Sequence, residues 1–366
     1  MGKNGIIFLV AITVANIGIS HPVKAQEMDT VSAHLALSAY AEVYYSYDFN
    51  KPTDHMRQPF FYTYNRHNEI SLNLGYIKAA YSSKTVRANL ALMVGTYADH
   101  NLAAESNTMQ HVYEASVGIK LSKSRELWLD AGVLPSHIGF ESAVGKDCWT
   151  LTRSLQADNS PYFETGVRLS YGSVNGKWHM AALVLNGWQR IARVDGNNTP
   201  AFGHQLTFKP NDKITLNSSS FIGNDKPDSV RAMRYFHDFY AQFQLSSRFA
   251  LTAGFDIGAE QKAKGSSAFS SWYSPALVAR YTPNSKWAIA GRVERYRDKY
   301  GVVVVQNVAG GTDIYGYSLN VDYAINSHAV WRIEGRQLHS PENAFEKSGG
   351  LVKNNFFITS SLAVSF

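Results

Sequence analysis

The stretch Phe249-Ala250-Leu251-Thr252-Ala253-Gly254-Phe255-Asp256-Ile257-Gly258-Ala259-Glu260 decides how the rest of this chain is read. Phe249, Leu251, Ala253, Phe255 and Ile257 fall on one phase, and Thr252, Gly254, Asp256, Gly258 and Glu260 on the other. Successive side chains of a strand point to opposite faces, so this is a strand with one apolar face and one small or polar face. Val86, Ala88, Leu90, Leu92 and Val94 repeat the pattern against Arg87, Asn89, Ala91, Met93 and Gly95. Tyr315, Tyr317, Leu319, Val321, Tyr323 and Ile325 repeat it again, against Gly316, Ser318, Asn320, Asp322 and Ala324. Applied along the whole chain, the criterion predicts sixteen strands, near 31–47, 68–81, 86–97, 112–121, 127–135, 162–171, 178–187, 201–209, 214–223, 233–245, 249–260, 271–281, 287–296, 314–325, 329–338 and 356–366.

The connections sort into two kinds. Every second one is a tight polar turn, at Ser82 to Thr85, Ser122 to Glu126, Gly172 to Lys177, Pro210 to Lys213, Ser246 to Arg248, Thr282 to Lys286 and Asn326 to His328. Those between are long, including Asp48 to His67, Ala98 to His111, Ser136 to Pro161, Arg297 to Asp313 and His339 to Asn355. Short turns at one end and long loops at the other are the arrangement of a transmembrane β-barrel. Segments of about 10 residues match a tilted strand crossing a bilayer. Lipid offers no hydrogen-bond partner, so such a sheet must close on itself, the first strand pairing with the last. The fold class is therefore all-β, a transmembrane antiparallel up-and-down barrel of about sixteen strands. Trp128, Trp178, Trp287 and Trp331 follow short turns, and Tyr47, Tyr97, Trp188 and Trp272 lie toward the long loops, an expectation of two interfacial girdles. The last strand ends on Phe366 after Phe356, Ile358, Ser360, Leu362 and Val364, an amphipathic ending of the kind that barrel-assembly machinery reads.

Composition agrees and excludes. Aromatics at 13% are too plentiful for a disordered chain, and charged residues at 17% are fewer than in ordinary globular domains. The single cysteine, Cys148, rules out an internal disulfide and a Cys-ligated metal centre. A net charge of +6 is spread singly rather than in phosphate-tracking runs, so nucleic acid is not an expected partner. Residues 1–25 read as a signal peptide: Lys3, an apolar stretch from Ile6 to Ile19 too short to span, then Pro22 and Val23-Lys24-Ala25. The remaining 26–366 read as one barrel domain exported to the outer membrane of a Gram-negative type envelope.

At Tyr45-Ser46-Tyr47-Asp48-Phe49-Asn50-Lys51-Pro52, Tyr64-Asn65-Arg66-His67-Asn68-Glu69 and Val86-Arg87-Ala88-Asn89-Leu90-Ala91-Leu92 the chain resembles the OmpL-like outer-membrane β-barrel porin family. The resemblance continues at Pro135-Ser136-His137-Ile138-Gly139-Phe140-Glu141-Ser142, Asp147-Cys148-Trp149-Thr150-Leu151-Thr152-Arg153-Ser154 and Gly223-Asn224-Asp225. It implies an outer-membrane location and a porin role, and carries no residue-level selectivity rule.

With the apolar phase toward lipid, the opposite phase lines the pore. It holds Arg87, Glu114, Lys120, Asp130, Glu164, Arg168, Arg234, Asp238, Asp256, Glu260, Arg292, Glu294, Asp322, Arg332, Glu334 and Arg336. An Arg or Lys facing lipid at the midplane costs about 2–4 kcal/mol, which drives these side chains inward. There they either set the pore field or pair across strands and keep the lumen wet. The third long connection, 136–161, is the longest, and with Glu141, Lys146, Asp147, Arg153 and Asp158 it is the expected constriction. The expectation is a porin passing small hydrophilic solutes by passive diffusion, its partners being those solutes and outer-membrane lipid. The alternative is a structural or adhesive barrel with a narrow or closed lumen. Monomeric and homo-oligomeric states share the same alternation. No cofactor and no catalysis are expected: the chain has no Gly-x-Ser-x-Gly elbow and no His-Glu-x-x-His helix. His67, His137, His179 and Ser136 are hydrolase candidates in principle, but Ser136 and His137 are adjacent and would face opposite ways on a strand.

Overall fold

The computed structural model describes residues 33–366 apart from 307, 309 and 348, so the signal-peptide segment lies outside the described residues. Sixteen antiparallel strands close one barrel. They are β1 (His34–Asp48), β2 (Ile70–Ser82), β3 (Val86–Val94), β4 (Val112–Lys120), β5 (Glu126–Pro135) and β6 (Phe163–Gly172). The ring continues through β7 (Trp178–Leu185), β8 (Ala201–Asn211), β9 (Ile214–Gly223), β10 (Arg234–Gln244) and β11 (Phe249–Gln261). It is completed by β12 (Phe269–Tyr281), β13 (Trp287–Asp298), β14 (Thr312–Ala324), β15 (Ala329–His339) and β16 (Asn354–Ser365). Closure runs through β1 and β16, Tyr40 opposite Ser365 and Asp48 opposite Phe357, which leaves no strand edge to lipid. A strand of about 13 residues at ~3.3 Å per residue, tilted by ~45°, rises about 30 Å, the thickness of a hydrocarbon core.

The outer face is apolar. Leu35, Leu37, Ile77, Leu90, Leu92, Val117, Leu277, Val293 and Leu319 all stand exposed on it. A polar patch on β8–β10 interrupts this band. His204 Nδ1 bonds Ser220 Oγ at 2.6 Å, and His237 Nε2 bonds Ser218 Oγ at 2.9 Å. These groups satisfy one another, which is the condition for polar atoms to sit against lipid.

Two sequence expectations fail in detail. Pro210 was expected to open a turn, but β8 runs on through it to Asn211, with a register shift between Phe208 and Asn211 that accommodates the missing N–H. The girdle holds for Trp178, Trp287 and Trp331 only in part of the set: Trp128 lies on the lumen face, under Arg87 at 4.3 Å. Trp128 and Asp130 share one face of β5, and burying a carboxylate in lipid costs more than turning an indole inward. Trp272 is likewise inward and fully buried, Trp188 stacks edge-on against Phe221 and Phe236, and Tyr97 is buried in a short helix, Thr96–Asn101.

The long loops fill much of the upper lumen. Phe60 and Phe61 of the first loop, Phe221, Phe236, Trp272, Tyr296 and Phe357 of the wall, and Phe345 of a small hairpin in the last loop form one apolar cluster. Each of these rings escapes water against loop residues that reach it from far along the chain.

Candidate functional site

The third long connection leaves the top of β5, descends into the barrel, crosses to the far wall and climbs back to β6. His137 anchors the descent. Its Nδ1 meets Glu164 at 2.8 Å and its Nε2 meets the Ser220 carbonyl at 2.8 Å. Both partners accept, so the doubly protonated ring satisfies both bonds. Burial works against that charge, but the Glu164 carboxylate and the Ser220 carbonyl outweigh it and hold the pKa above the ordinary histidine value. The His137 carbonyl accepts from Ser219 Oγ at 2.8 Å and Gln205 Nε2 at 3.1 Å. Gly203 makes room, since a Cβ there would stand 2.8 Å from His137 Nε2.

On the far wall, β13, β14 and β15 grip the loop. Arg292 donates to Thr150 Oγ1 at 2.8 Å and to the Thr152 carbonyl at 2.7 Å. Glu334 accepts from the Thr152 N–H at 2.5 Å and from its hydroxyl at 2.9 Å. Arg332 reaches the carbonyls of Gly145 (2.6 Å) and Cys148 (2.9 Å), and Arg336 that of Arg153 (2.9 Å). Glu294 caps the Leu155 N–H at 2.6 Å, at the start of the short helix Leu155–Asp158. Within the wall Arg292 pairs with Glu294 and Glu334 at 3.0 Å each, and Arg336 with Glu294 at 2.5 Å. These charges are buried, and each is matched by an opposite charge or a loop dipole, as buried charges must be.

The five loop residues expected at a constriction divide. Arg153 is fully buried and spends its guanidinium on the carbonyls of Ser142, Leu151 and Ala143, holding the loop's own shape. Glu141 accepts from the Ser154 N–H at 2.9 Å and from its hydroxyl. Asp158 accepts from Thr63 Oγ1 at 3.0 Å and Tyr162 OH at 3.2 Å, tying this loop to the first one. Its burial pushes the carboxyl up to about 7, against the pull of Arg336 and Arg153. Lys146 and Asp147 pair at 2.7 Å and stand partly open to solvent. Lys146 borders a cavity of about 210 Å³ shared with Arg280, Lys286 and Asn326 at the short-turn end. Cys148 is buried against Ser142, and burial pushes its thiol up, so it is held as a thiol.

The sixteen strand charges expected inside all lie on the lumen face, in two unlike sectors. Arg292, Glu294, Asp322, Arg332, Glu334 and Arg336 are sealed under the loop. Glu164 holds His137, Asp238 accepts from the Gly139 N–H at 3.3 Å and faces Asp256 across the β10–β11 pair. Arg234 and Glu260 pair at 2.7 Å near the outer mouth. The other sector, the part of β2 to β6 around Lys78, Arg87 and Arg168, is not covered. Here Arg87 grips Asp130 at 2.5 Å, Arg168 stands 3.6 Å from the same carboxylate, Lys120 pairs with Glu126, and Lys78 meets Glu114 at 2.5 Å. The side chains of Lys78, Arg87 and Arg168 are 27%, 33% and 24% exposed, whereas Glu114 and Asp130 are each 5% exposed. At Lys78, Arg87 and Arg168 the cation fronts the lumen and its carboxylate sits behind, whereas in the Lys120–Glu126 pair beside the short turn the carboxylate is the more exposed partner.

Lys78 and Glu42 were missed by sequence reading, although both stand on the polar phase of their strands, between Ile77 and Ala79 and between Ala41 and Val43. Glu42 is buried and accepts from Tyr64 OH (2.8 Å), Asn73 (3.2 Å) and Ser361 (2.9 Å). Thr150, Thr152 and Asn320 were missed because nothing local marks them as loop anchors.

The family model for beta-barrel porin-2, OmpL-like, matches residues 34–366. No curated protein matches the chain. Among solved structures it is similar to an anion-selective porin from Comamonas acidovorans, at 8% identity and TM-score 0.59 over 92% of this chain and 100% of that one. It is similar to in-vitro folded OmpT of Vibrio cholerae in a trimer form, at 10% identity and TM-score 0.57 over 91% and 99%. OprB of Pseudomonas putida is similar at 11% identity and TM-score 0.57 over 91% and 94%. At these identities the likeness is one of fold.

Proposed function

The chain belongs to the OmpL-like β-barrel porin family, and from that premise we propose that this outer-membrane channel passes small hydrophilic anions by passive diffusion along the uncovered sector of its wall. The observation that carries the anion preference is the layering of that sector: Lys78, Arg87 and Arg168 face the lumen, and the carboxylates that neutralise them are hidden behind. A passing anion meets the near charge first, and in water-filled space the nearer charge dominates. The loop 136–161 acts as the constriction, with Lys146 and Asp147 as its solvent-facing charges and Glu141, Arg153 and Asp158 as the struts that hold it.

The same reading assigns no catalytic step to this chain. Ser136 Oγ accepts from the Ile138 N–H at 3.1 Å, and both nitrogens of His137 are engaged in anchoring. An esterase assay in detergent tests this. The partners are outer-membrane lipid, the permeating solutes, and barrel-assembly machinery that reads the strand leading to Phe366.

Planar-bilayer recording of the refolded protein tests the main proposal, with the reversal potential measured in a salt gradient. Steady conductance with anion preference is expected, and a variant shortened between Ser142 and Asp158 conducts more. A folded, heat-modifiable sample that does not conduct would overturn the reading in favour of a closed structural barrel.

A further inference from the structure

We propose that the outer face of β12–β16, at its long-loop end, seats a phosphorylated glycolipid of the outer leaflet, with its phosphate on Arg295 and Arg297 and an acyl chain in the groove below them. Arg295 and Arg297 occupy the same phase of β13 as the lipid-facing Ile289 and Val293. Two guanidiniums on that face need anionic company. The wall supplies one carboxylate: Arg295 grips Asp313 through two 3.0 Å bonds, and Arg297 stands 3.4 Å from the same group. Arg297 otherwise donates to the Gly310 carbonyl at 3.1 Å. Two cations on one carboxylate leave a positive surplus. Exposed Lys262 and Lys299 add to it, lying 4.8 Å and 5.7 Å from the Tyr300 ring just above. Tyr315 and Tyr273, at 4.7 Å and 5.7 Å from the Arg295 guanidinium, hold that group flat along the surface.

Directly beneath lies a groove of about 560 Å³, lined by Leu277, Gly291, Val293, Leu319, Gly335 and Phe356. Gly291 and Gly335 form its floor. A Cβ at either position would meet nothing nearer than 3.8 Å, so the protein's own packing does not require these glycines. Their missing side chains leave an open apolar channel whose upper end is the basic cluster. A phosphate suits paired arginines by geometry and charge, and an alkyl chain suits the groove, so one amphiphile matches both halves.

The test uses the refolded protein, freed of lipid, titrated with bisphosphorylated lipid A and with its dephosphorylated form by native mass spectrometry. The wild-type barrel is expected to retain the bisphosphorylated form preferentially. The double variant Arg295→Gln with Arg297→Gln weakens that binding by roughly tenfold or more, the worth of losing a charge-assisted contact. Gly335→Leu, which fills the groove, weakens it without touching the charges. Neither variant alters single-channel conductance, so the outcome is independent of the porin reading. Equal retention of the dephosphorylated form, equal binding by the double variant, or disulfide-linked dimers of a Val293→Cys variant in place of lipid binding would each overturn the proposal. The double variant changes only partly exposed side chains and keeps the test decisive if Gly335→Leu does not fold.

Discussion

Neutralising Arg87 tests the layered wall most directly. Its guanidinium is bound to Asp130 but a third exposed, and it is the most open cation of the uncovered sector. A permeant ion passing at about 5 Å feels about 0.8 kcal/mol from one unit charge in a medium of water-like dielectric. Screening over half a Debye length at ~0.1 M salt reduces this to about 0.5 kcal/mol. Arg87→Gln removes that attraction for anions and the matching repulsion for cations, about 1 kcal/mol in all, so the anion-to-cation permeability ratio falls roughly fivefold. The assay is the zero-current potential across a bilayer holding a tenfold potassium chloride gradient. The effect shrinks as salt rises, because the screening length shortens. Lys264→Gln serves as control, since that lysine reaches the Asp228 carbonyl on an exposed loop. An unchanged potential in a folded Arg87→Gln barrel would refute the claim that this sector sets the field.

Arg292→Met leaves Glu294 and Glu334 buried beside a lost partner, and destabilisation of about 3–5 kcal/mol is expected in urea unfolding from lipid vesicles. Gly145→Ala places a methyl 2.5 Å from the Glu42 carboxylate and 2.7 Å from Tyr64 OH, so the loop shifts, stability falls by about 1–3 kcal/mol, and conductance changes in single-channel traces. Asp158 titrates near 7 when folded, against 3.8 when free, so the folded state holds the proton more tightly: its contribution is full below the free value and is lost as pH rises toward 7. Unfolding free energy measured from pH 4 to pH 8 should therefore decline over that window, and Asp158→Asn, which keeps an acceptor for Thr63 and Tyr162, should remove this part of the decline.

The loop is held more firmly than a surface strap. Its backbone is cross-linked to three wall strands, β10, β13 and β15, by charge-assisted bonds in a site sealed from water, where such bonds are strong and costly to leave unmade. Opening it would expose Glu294, Glu334 and Arg292 one against another without their loop partners. The loop is accordingly held as a fixed part of the barrel interior.

Alternation by itself determined the barrel. A two-residue period is a local property, and lipid on one side and water on the other enforce it residue by residue, so sixteen strands, their lumen-facing charges and the alternation of short turns with long loops were all legible in the sequence. Where the phase carried two claims, the charge decided: Asp130 faces the lumen and takes Trp128 inward with it. The rank and length of the loop 136–161 marked it for the lumen, but its sequence does not say where it lands. Only the closed structure brings Arg332 to the Gly145 carbonyl across 187 residues and Glu334 to Thr152 across 182. It alone divides the lumen into a covered wall of matched charges and an open wall where Lys78, Arg87 and Arg168 stand forward of their carboxylates. Those pairings join segments that lie far apart in the chain. No local period encodes a distance across a barrel.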